Sequence, residues 1–127
     1  MFSKTPTFSS FSVNSLSEAK TFYHDVLGIE TDDREHMINL KLADGKNILV
    51  YEKPDHAPAT FTVLNFVVDD VDAAVDQLNA QGIVMLQYGG PIATDAKGIH
   101  RGEGGETIAW FADPAGNILS VLKSSML

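Results

Sequence analysis

The chain has 127 residues, of which 44% are hydrophobic and 20% are charged, as expected for one globular domain. Nine Lys and Arg residues against seventeen Asp and Glu residues give a net charge of −8, so a basic surface for nucleic acid or an anionic membrane is lacking. No apolar run is long enough to span a bilayer, no secretory signal is visible, and without cysteine there is no disulfide or thiolate chemistry. We expect a cytoplasmic protein.

The first half of the chain begins with a strand and a helix. Phe and Val alternate with Ser over residues 8–13, which is typical of a half-buried strand. Ser15, followed three residues later by Glu18, predicts the start of a helix, and Gly28 predicts its end. Three strands are predicted after the helix, at residues around 29–33, 37–42 and 47–52.

The second half repeats this order. Phe66 corresponds to Phe11 in a predicted strand over residues 62–68, and Asp69 and Asp70 predict the start of a helix that ends at Gly82. Three further strands are predicted at residues 83–87, 107–112 and 117–122.

These elements predict an α+β fold in one domain of two βαβββ modules. The modules cover about residues 7–53 and 61–123, with a proline-containing linker at residues 54–60. One open sheet with one helix leaves a face and its edges uncovered, so we expect the modules to form together a curved eight-stranded mixed sheet around a cup. Such a cup is the expected binding site.

Two motifs resemble the vicinal oxygen chelate superfamily, which includes glyoxalase I, extradiol dioxygenases, fosfomycin resistance enzymes and bleomycin resistance proteins. They are Phe-Tyr-His-Asp-Val-Leu-Gly at residues 22–28 and Asp-Pro-Ala-Gly-Asn at residues 113–117. The resemblance extends over residues 8–121. It implies a cup of two modules, a divalent metal held by His and Glu in the enzymes, and pairing of two chains, so a homodimer is expected.

The resemblance also implies where a metal would be held, namely at Phe8, Val50, Val63 and Ser120. None of the four is His, Asp or Glu, and neither are their immediate neighbours. Imidazole and carboxylate are the donors expected for such a metal. The sequence therefore predicts a protein with no metal and no other cofactor.

Strand alternation predicts which side chains face the cup, because every second residue points to the same side. We expect ligand-binding residues at Phe8, Ser10, Ser12, Val50, Glu52, Val63, Asn65 and Ser120, with Trp110 available to stack on a planar ligand. Residues of the opposite parity, Phe11, Val13, Leu64, Phe66, Leu119 and Val121, are expected to pack beneath the helices.

Four residues are candidates for acid–base catalysis. Glu52 is the one carboxylate expected in the cup, and His100, Glu103 and Glu106 lie in a glycine-rich segment, residues 98–106. That segment is interpreted either as a lid over the cup or as a polar loop. The other histidines, His24, His36 and His56, are expected at the surface.

Three functions remain open at this point. The first is a protein that binds a small cationic or aromatic molecule without a metal, similar in logic to bleomycin resistance proteins. The second is a glyoxalase-like lyase or isomerase that uses Glu52 or the loop residues His100, Glu103 and Glu106, with a metal only if its ligands come from other positions. The third is a subunit or sensor whose cup no longer binds a ligand and which acts by association.

Overall fold

The computed structural model describes residues 1–123, which fall in two compact units, residues 1–58 and residues 59–123. Each unit contains one four-stranded mixed sheet and the helix that follows its first strand. The predicted α+β class with two βαβββ modules is confirmed. Within residues 1–123, helices of the length and apolarity needed to cross a bilayer are absent.

The first unit is built in the predicted order. Its strands and helix are β1 (Ser9–Val13), α1 (Leu16–Lys20), β2 (Glu30–Arg34), β3 (Met37–Lys41) and β4 (Asn47–Glu52). The sheet order is β1-β4-β3-β2, with β1 parallel to β4 and the other pairs antiparallel. A π-helical stretch, Thr21–Val26, continues α1, and a short 3-10 turn, Ala43–Gly45, precedes β4.

Two side chains hold the start of α1. Ser15 accepts a hydrogen bond from the backbone N–H of Glu18 at 3.3 Å, as the sequence predicted. Glu52, at the end of β4, accepts a hydrogen bond from the backbone N–H of Leu16 at 3.0 Å. These oxygens satisfy N–H groups that have no partner within the helix.

The π-helical stretch changes which residues face the core. The backbone N–H of Leu27 donates to the carbonyl of Phe22 at 2.9 Å, a five-residue step instead of the usual four. Phe22 and Tyr23 are both buried as a result, and Tyr23 packs on Phe11 of β1 with ring centroids 5.9 Å apart.

The second unit has the same arrangement. It contains β5 (Thr62–Val67), α2 (Val71–Ala80), β6 (Ile99–Arg101), β7 (Thr107–Ala112) and β8 (Ile118–Lys123), with a 3-10 turn at Gly90–Ile92. The sheet order is β5-β8-β7-β6, with β5 parallel to β8. Asp70 caps α2 by accepting from the N–H of Ala73 at 3.1 Å, and α2 packs on β7 and β8.

One predicted strand is wrong. Residues 83–87 contain an apolar run but form no strand, and β6 is supplied by Ile99–Arg101 instead. Met85 is buried while Val84 is exposed, and one backbone hydrogen bond joins Leu86 to Trp110. Met85 is thus the buried side chain of an apolar run that forms no strand.

The motif at residues 113–117 forms the turn between β7 and β8. The buried carboxylate of Asp113 accepts hydrogen bonds from the N–H groups of Ala115 and Asn117, at 3.0 and 2.8 Å, and from the side-chain amide of Asn117 at 3.1 Å. Gly116 has φ 85°, a conformation that glycine adopts readily. The motif is therefore a structural device that aligns β8 with β7.

Candidate functional site

Each sheet has one face covered by its helix and one face turned away from it, here called the helix-free face. Residues paired across neighbouring strands point to the same face. In the first sheet Phe11, Val50 and Ile38 are paired in one row and are buried on the helix-covered face. Ser12 and Tyr51 are paired on the helix-free face.

The expectation that Val50 and Glu52 share a face with Ser10 and Ser12 is wrong. The parallel register pairs Val50 with Phe11, and Val50 is 0% exposed. The β4 residues on the helix-free face are instead Leu49 and Tyr51, which pair with Ser10 and Ser12. Alternation along each strand was correct, but the offset between two strands depends on tertiary packing.

The remaining first-unit candidates lie at or near β1. Phe8 directly precedes the strand and is 71% exposed, and Ser10 is also exposed. Ser12 Oγ and His56 Nδ1 share a hydrogen bond of 2.7 Å. His56 is half-buried rather than a solvated linker residue, because a turn closed by its N–H on the carbonyl of Lys53 returns it to the sheet.

The helix-free face of the second sheet brings three candidates together. Asn65, Ser120 and Trp110 are paired in one row across β5, β8 and β7, so the expected shared face of Asn65 and Ser120 is confirmed. The hydroxyl of Ser120, which is fully buried, donates to Oδ1 of Asn65 at 2.5 Å. Val63 lies at an irregularity in the register between β5 and β8.

Trp110 has an aromatic neighbour that the sequence reasoning missed. The ring of Tyr88 meets Trp110 edge to face, with centroids 5.2 Å apart, and Trp110 is 8% exposed. The loop that carries Tyr88 is closed by hydrogen bonds between Tyr88 and Thr94, the two that involve backbone N–H groups being 3.0 Å long. The only sequence signal for this position was an aromatic residue beside a glycine pair.

His100 lies on the same helix-free face, one row away from Trp110. It is paired with Ile108, which in turn is paired with Leu122. Its Nδ1 is 3.0 Å from the carbonyl oxygen of Ala93. Since a carbonyl oxygen can only accept, Nδ1 carries a proton, and Nε2 of the neutral ring is a hydrogen-bond acceptor.

Neighbouring residues form an ion-pair network on the helix-covered side. Asp72 of α2 accepts from Arg101 at 3.0 Å and from Lys97 at 3.2 Å, and Lys97 also pairs with Asp76 at 3.1 Å. Hydrogen bonds from Arg101 and then Lys97 lower the pKa of Asp72, while Asp76 and then Asp72 raise the pKa of Lys97. The network ties α2 to β6.

The segment at residues 98–106 is divided between strand and turn. Arg101, in β6, donates a hydrogen bond to Asp95 at 3.1 Å. The pKa of Asp95 is lowered, and the largest cause is the hydrogen bond from the backbone N–H of Ile99. Glu103 and Glu106 are exposed in the turn that leads to β7. These two carboxylates lie beyond the end of β6, whereas His100 lies within it.

Comparison with known proteins identifies the family. Residues 8–121 match the model of the Glyoxalase/Bleomycin resistance protein/Dioxygenase superfamily. The chain belongs to this superfamily. Significant similarity to a curated protein sequence was not found.

Solved structures of the superfamily share the fold. A lactoylglutathione lyase from Agrobacterium tumefaciens matches with a TM-score of 0.71 and 21% identity, over 97% of this chain and 96% of that one. The fosfomycin resistance protein FosX from Listeria monocytogenes matches with a TM-score of 0.72 and 15% identity, over 95% and 93%. A glyoxalase family protein from Enterococcus faecalis matches with a TM-score of 0.68 and 22% identity, over 97% of this chain and 100% of that one.

The four positions at which this superfamily would hold a divalent metal do not fit one here. Phe8 and Val63 offer no donor atom, Val50 lies beneath the helix, and the Ser120 hydroxyl donates to Asn65. Divalent metals in such sites need imidazole or carboxylate donors. Elsewhere in residues 1–123, groups of three His, Asp or Glu side chains able to hold a metal ion are also lacking.

The four acid–base candidates are separated in the structure. Glu52 lies at the N-terminus of α1 as a cap, and Glu103 and Glu106 lie in a turn. Among the four, His100 is the one on the helix-free face with Trp110. A ligand-binding or catalytic role for the residues chosen from sequence stays a prediction.

Proposed function

We propose that this protein binds a small aromatic molecule with a cationic group, without a metal, on the helix-free face of its second sheet. The observation that carries the proposal is the Ser120 to Asn65 hydrogen bond beside Trp110. At a position where the superfamily's enzymes would hold a metal, this chain has a hydroxyl committed to orienting an amide. An aromatic ring, an amide and an imidazole are ordinary components of a small-molecule site.

The charge of the protein supports a cationic ligand. The net charge of −8 attracts cations and repels anions over several ångströms in dilute salt. Two basic residues close to His100 in sequence, Lys97 and Arg101, are paired with a carboxylate of α2 on the other side of the sheet. Their positive charge is therefore largely neutralised.

Metal binding tests the first part of the proposal. The purified protein is exposed to nickel, zinc, manganese and iron salts, dialysed, and examined by elemental analysis and thermal denaturation. We expect less than stoichiometric metal and an unchanged melting temperature. One equivalent of a metal together with a stabilisation of several degrees would contradict the proposal.

A glyoxalase-like lyase or isomerase is the second candidate, and His100 is the observation that favours it. With Nδ1 donating to Ala93, Nε2 of the neutral ring can accept a proton from a substrate on this face. The test is turnover of glutathione hemithioacetals by the wild-type protein and by His100→Gln, in which a side-chain amide replaces the imidazole base. Turnover that His100→Gln removes would support catalysis, and no turnover would leave binding as the function.

We further propose that the two modules unfold together as one domain and that two chains form a homodimer. Unpaired edge strands give a physical reason for association. Calorimetry and sedimentation test these statements. Two separate unfolding transitions would overturn the proposal of a single domain. A monomer at high micromolar concentration would overturn the proposal of a homodimer.

A further inference from the structure

We infer that the helix-free face of the second sheet recognises an elongated aromatic ligand with opposite polarity at its two ends. Asn65 meets a hydrogen-bond acceptor such as a carboxylate, and His100 meets a proton donor such as an ammonium group. The inference rests on the proposed ligand-binding function and adds the length of the ligand and the chemistry of each end.

The Asn65 end is a donor because of Ser120. The Ser120 hydroxyl donates to Oδ1 of Asn65, and because Ser120 is fully buried this hydroxyl does not reach the solvent. With Oδ1 engaged, the amide presents the two N–H groups of Nδ2. Asn65 is exposed, and its amide can therefore donate to an oxygen of a ligand.

The His100 end is an acceptor because of Ala93. Nδ1 donates to the Ala93 carbonyl at 3.0 Å, which fixes the ring orientation and makes Nε2 the acceptor of the neutral imidazole. Arg101, the next residue, points to the opposite face and pairs with Asp72 and Asp95. A ligand ammonium group at His100 therefore meets no uncompensated positive charge from Arg101.

The positions of the two ends set the length of the ligand. Asn65 lies on β5 and His100 on β6, which are the two edges of the sheet ordered β5-β8-β7-β6. Three strand spacings separate these edges, about 14 Å. Trp110, on β7, lies between them with Tyr88 against its ring. A single aromatic ring cannot reach both ends, whereas two linked rings can.

Three matched probes test the inference. They are 4′-(aminomethyl)biphenyl-4-carboxylate, which carries both groups, and two biphenyls that carry only the carboxylate or only the aminomethyl group. Trp110 is the single tryptophan of the chain, so quenching of its fluorescence reports binding at this face. We expect the doubly substituted probe to bind about tenfold more tightly than either of the others, as one hydrogen bond to a charged group provides.

Two nearly isosteric variants assign the ends. Asn65→Asp retains the acceptor for Ser120 but replaces the donor with a carboxylate oxygen. The affinity for the carboxylate probe should therefore fall about tenfold, while the affinity for the aminomethyl probe should be unchanged. His100→Asn retains a donor for Ala93 but removes the Nε2 acceptor, so it has the opposite selectivity. His36→Asn is the control, because His36 is exposed and has φ 62°, which asparagine tolerates.

Each outcome decides between the two levels of the proposal. The opposite selectivities of the two variants would support the inference. Equal affinities for the three probes, unchanged affinities in both variants, or a uniform loss for all probes would overturn the inference and leave ligand binding in place. If no probe changes the Trp110 fluorescence, the proposed function is overturned together with the inference.

Discussion

The Ser120 hydroxyl donates to Oδ1 of Asn65 across the parallel pair of β8 and β5, at 2.5 Å. Ser120 is completely buried, while Asn65 is exposed on the helix-free face. The hydrogen bond thus connects a fixed interior group to a side chain that can reach a ligand. The position that the resemblance associates with a metal acts here as a support for a polar side chain.

Replacing Ser120 tests this connection. Ser120→Ala removes the hydrogen bond and is expected to lower the free energy of unfolding by about 1 kcal/mol. The freed Asn65 amide can rotate, so affinity for the biphenyl carboxylate should fall as well. Urea denaturation and Trp110 fluorescence measure the two effects, with Ser9→Ala, at an exposed position of β1, as control. Equal stability and affinity in both variants would show that Ser120 does not orient Asn65.

The turn between β7 and β8 should be sensitive to Asp113. Its buried carboxylate accepts from the N–H groups of Ala115 and Asn117 and from the Asn117 amide. Asp113→Ala leaves these donors without that acceptor and is expected to cost about 3 kcal/mol of unfolding free energy. Asp113→Asn, which retains one oxygen, should cost less. If Asp113→Ala lost less unfolding free energy than Asp113→Asn, this role of the carboxylate would be contradicted.

Glu52 should matter for stability and not for binding. Its carboxylate caps α1 at the N–H of Leu16, so Glu52→Ala is expected to lower the free energy of unfolding by about 1 kcal/mol. The affinity for the biphenyl probes, measured by quenching of Trp110 fluorescence, should be unchanged. The matched control is Glu35→Ala, since Glu35 is exposed in the turn between β2 and β3. Loss of probe affinity in Glu52→Ala alone would assign Glu52 to the ligand site.

The ion pairs between α2 and β6 predict a pH dependence. Arg101 and then Lys97 lower the pKa of Asp72 in the folded protein, so the stabilisation is fully present above the unfolded value of about 4 and is lost as pH falls through the lowered pKa. Arg101→Gln should therefore lower the urea midpoint at neutral pH, and the difference from wild type should shrink below about pH 4. If the difference in urea midpoint between Arg101→Gln and wild type were the same at neutral pH and below about pH 4, the stabilising role of the Asp72 ion pairs would be contradicted.

Local chemistry made much of the fold predictable. Ser15 and Asp70 were recognised as helix caps because a short polar side chain before an apolar stripe has few other roles, and both caps are present. The order of strands and helices followed from the repeat between the halves. The motifs at residues 22–28 and 113–117 together indicated the family, and the second of them forms a turn held by its own side chains.

Long-range placement was not predictable to the same degree. The offset between β1 and β4 pairs Val50 with Phe11, against which Tyr23 packs. Such a long-range register is not determined by the sequence of either strand alone. His56 reaches Ser12 through a turn that no local pattern indicated. Residues 83–87 were predicted as a strand from their apolar residues, yet β6 is formed by Ile99–Arg101, whose strand character depends on pairing with β7.

The central claim is that Trp110 lies in a binding site that works without a metal. The direct measurement is a fluorescence titration with 4′-(aminomethyl)biphenyl-4-carboxylate, performed after treatment with a chelator and again with added nickel, zinc or manganese. We expect saturable quenching with the same dissociation constant in every case. Quenching that appears only when one of the metals is present would contradict it.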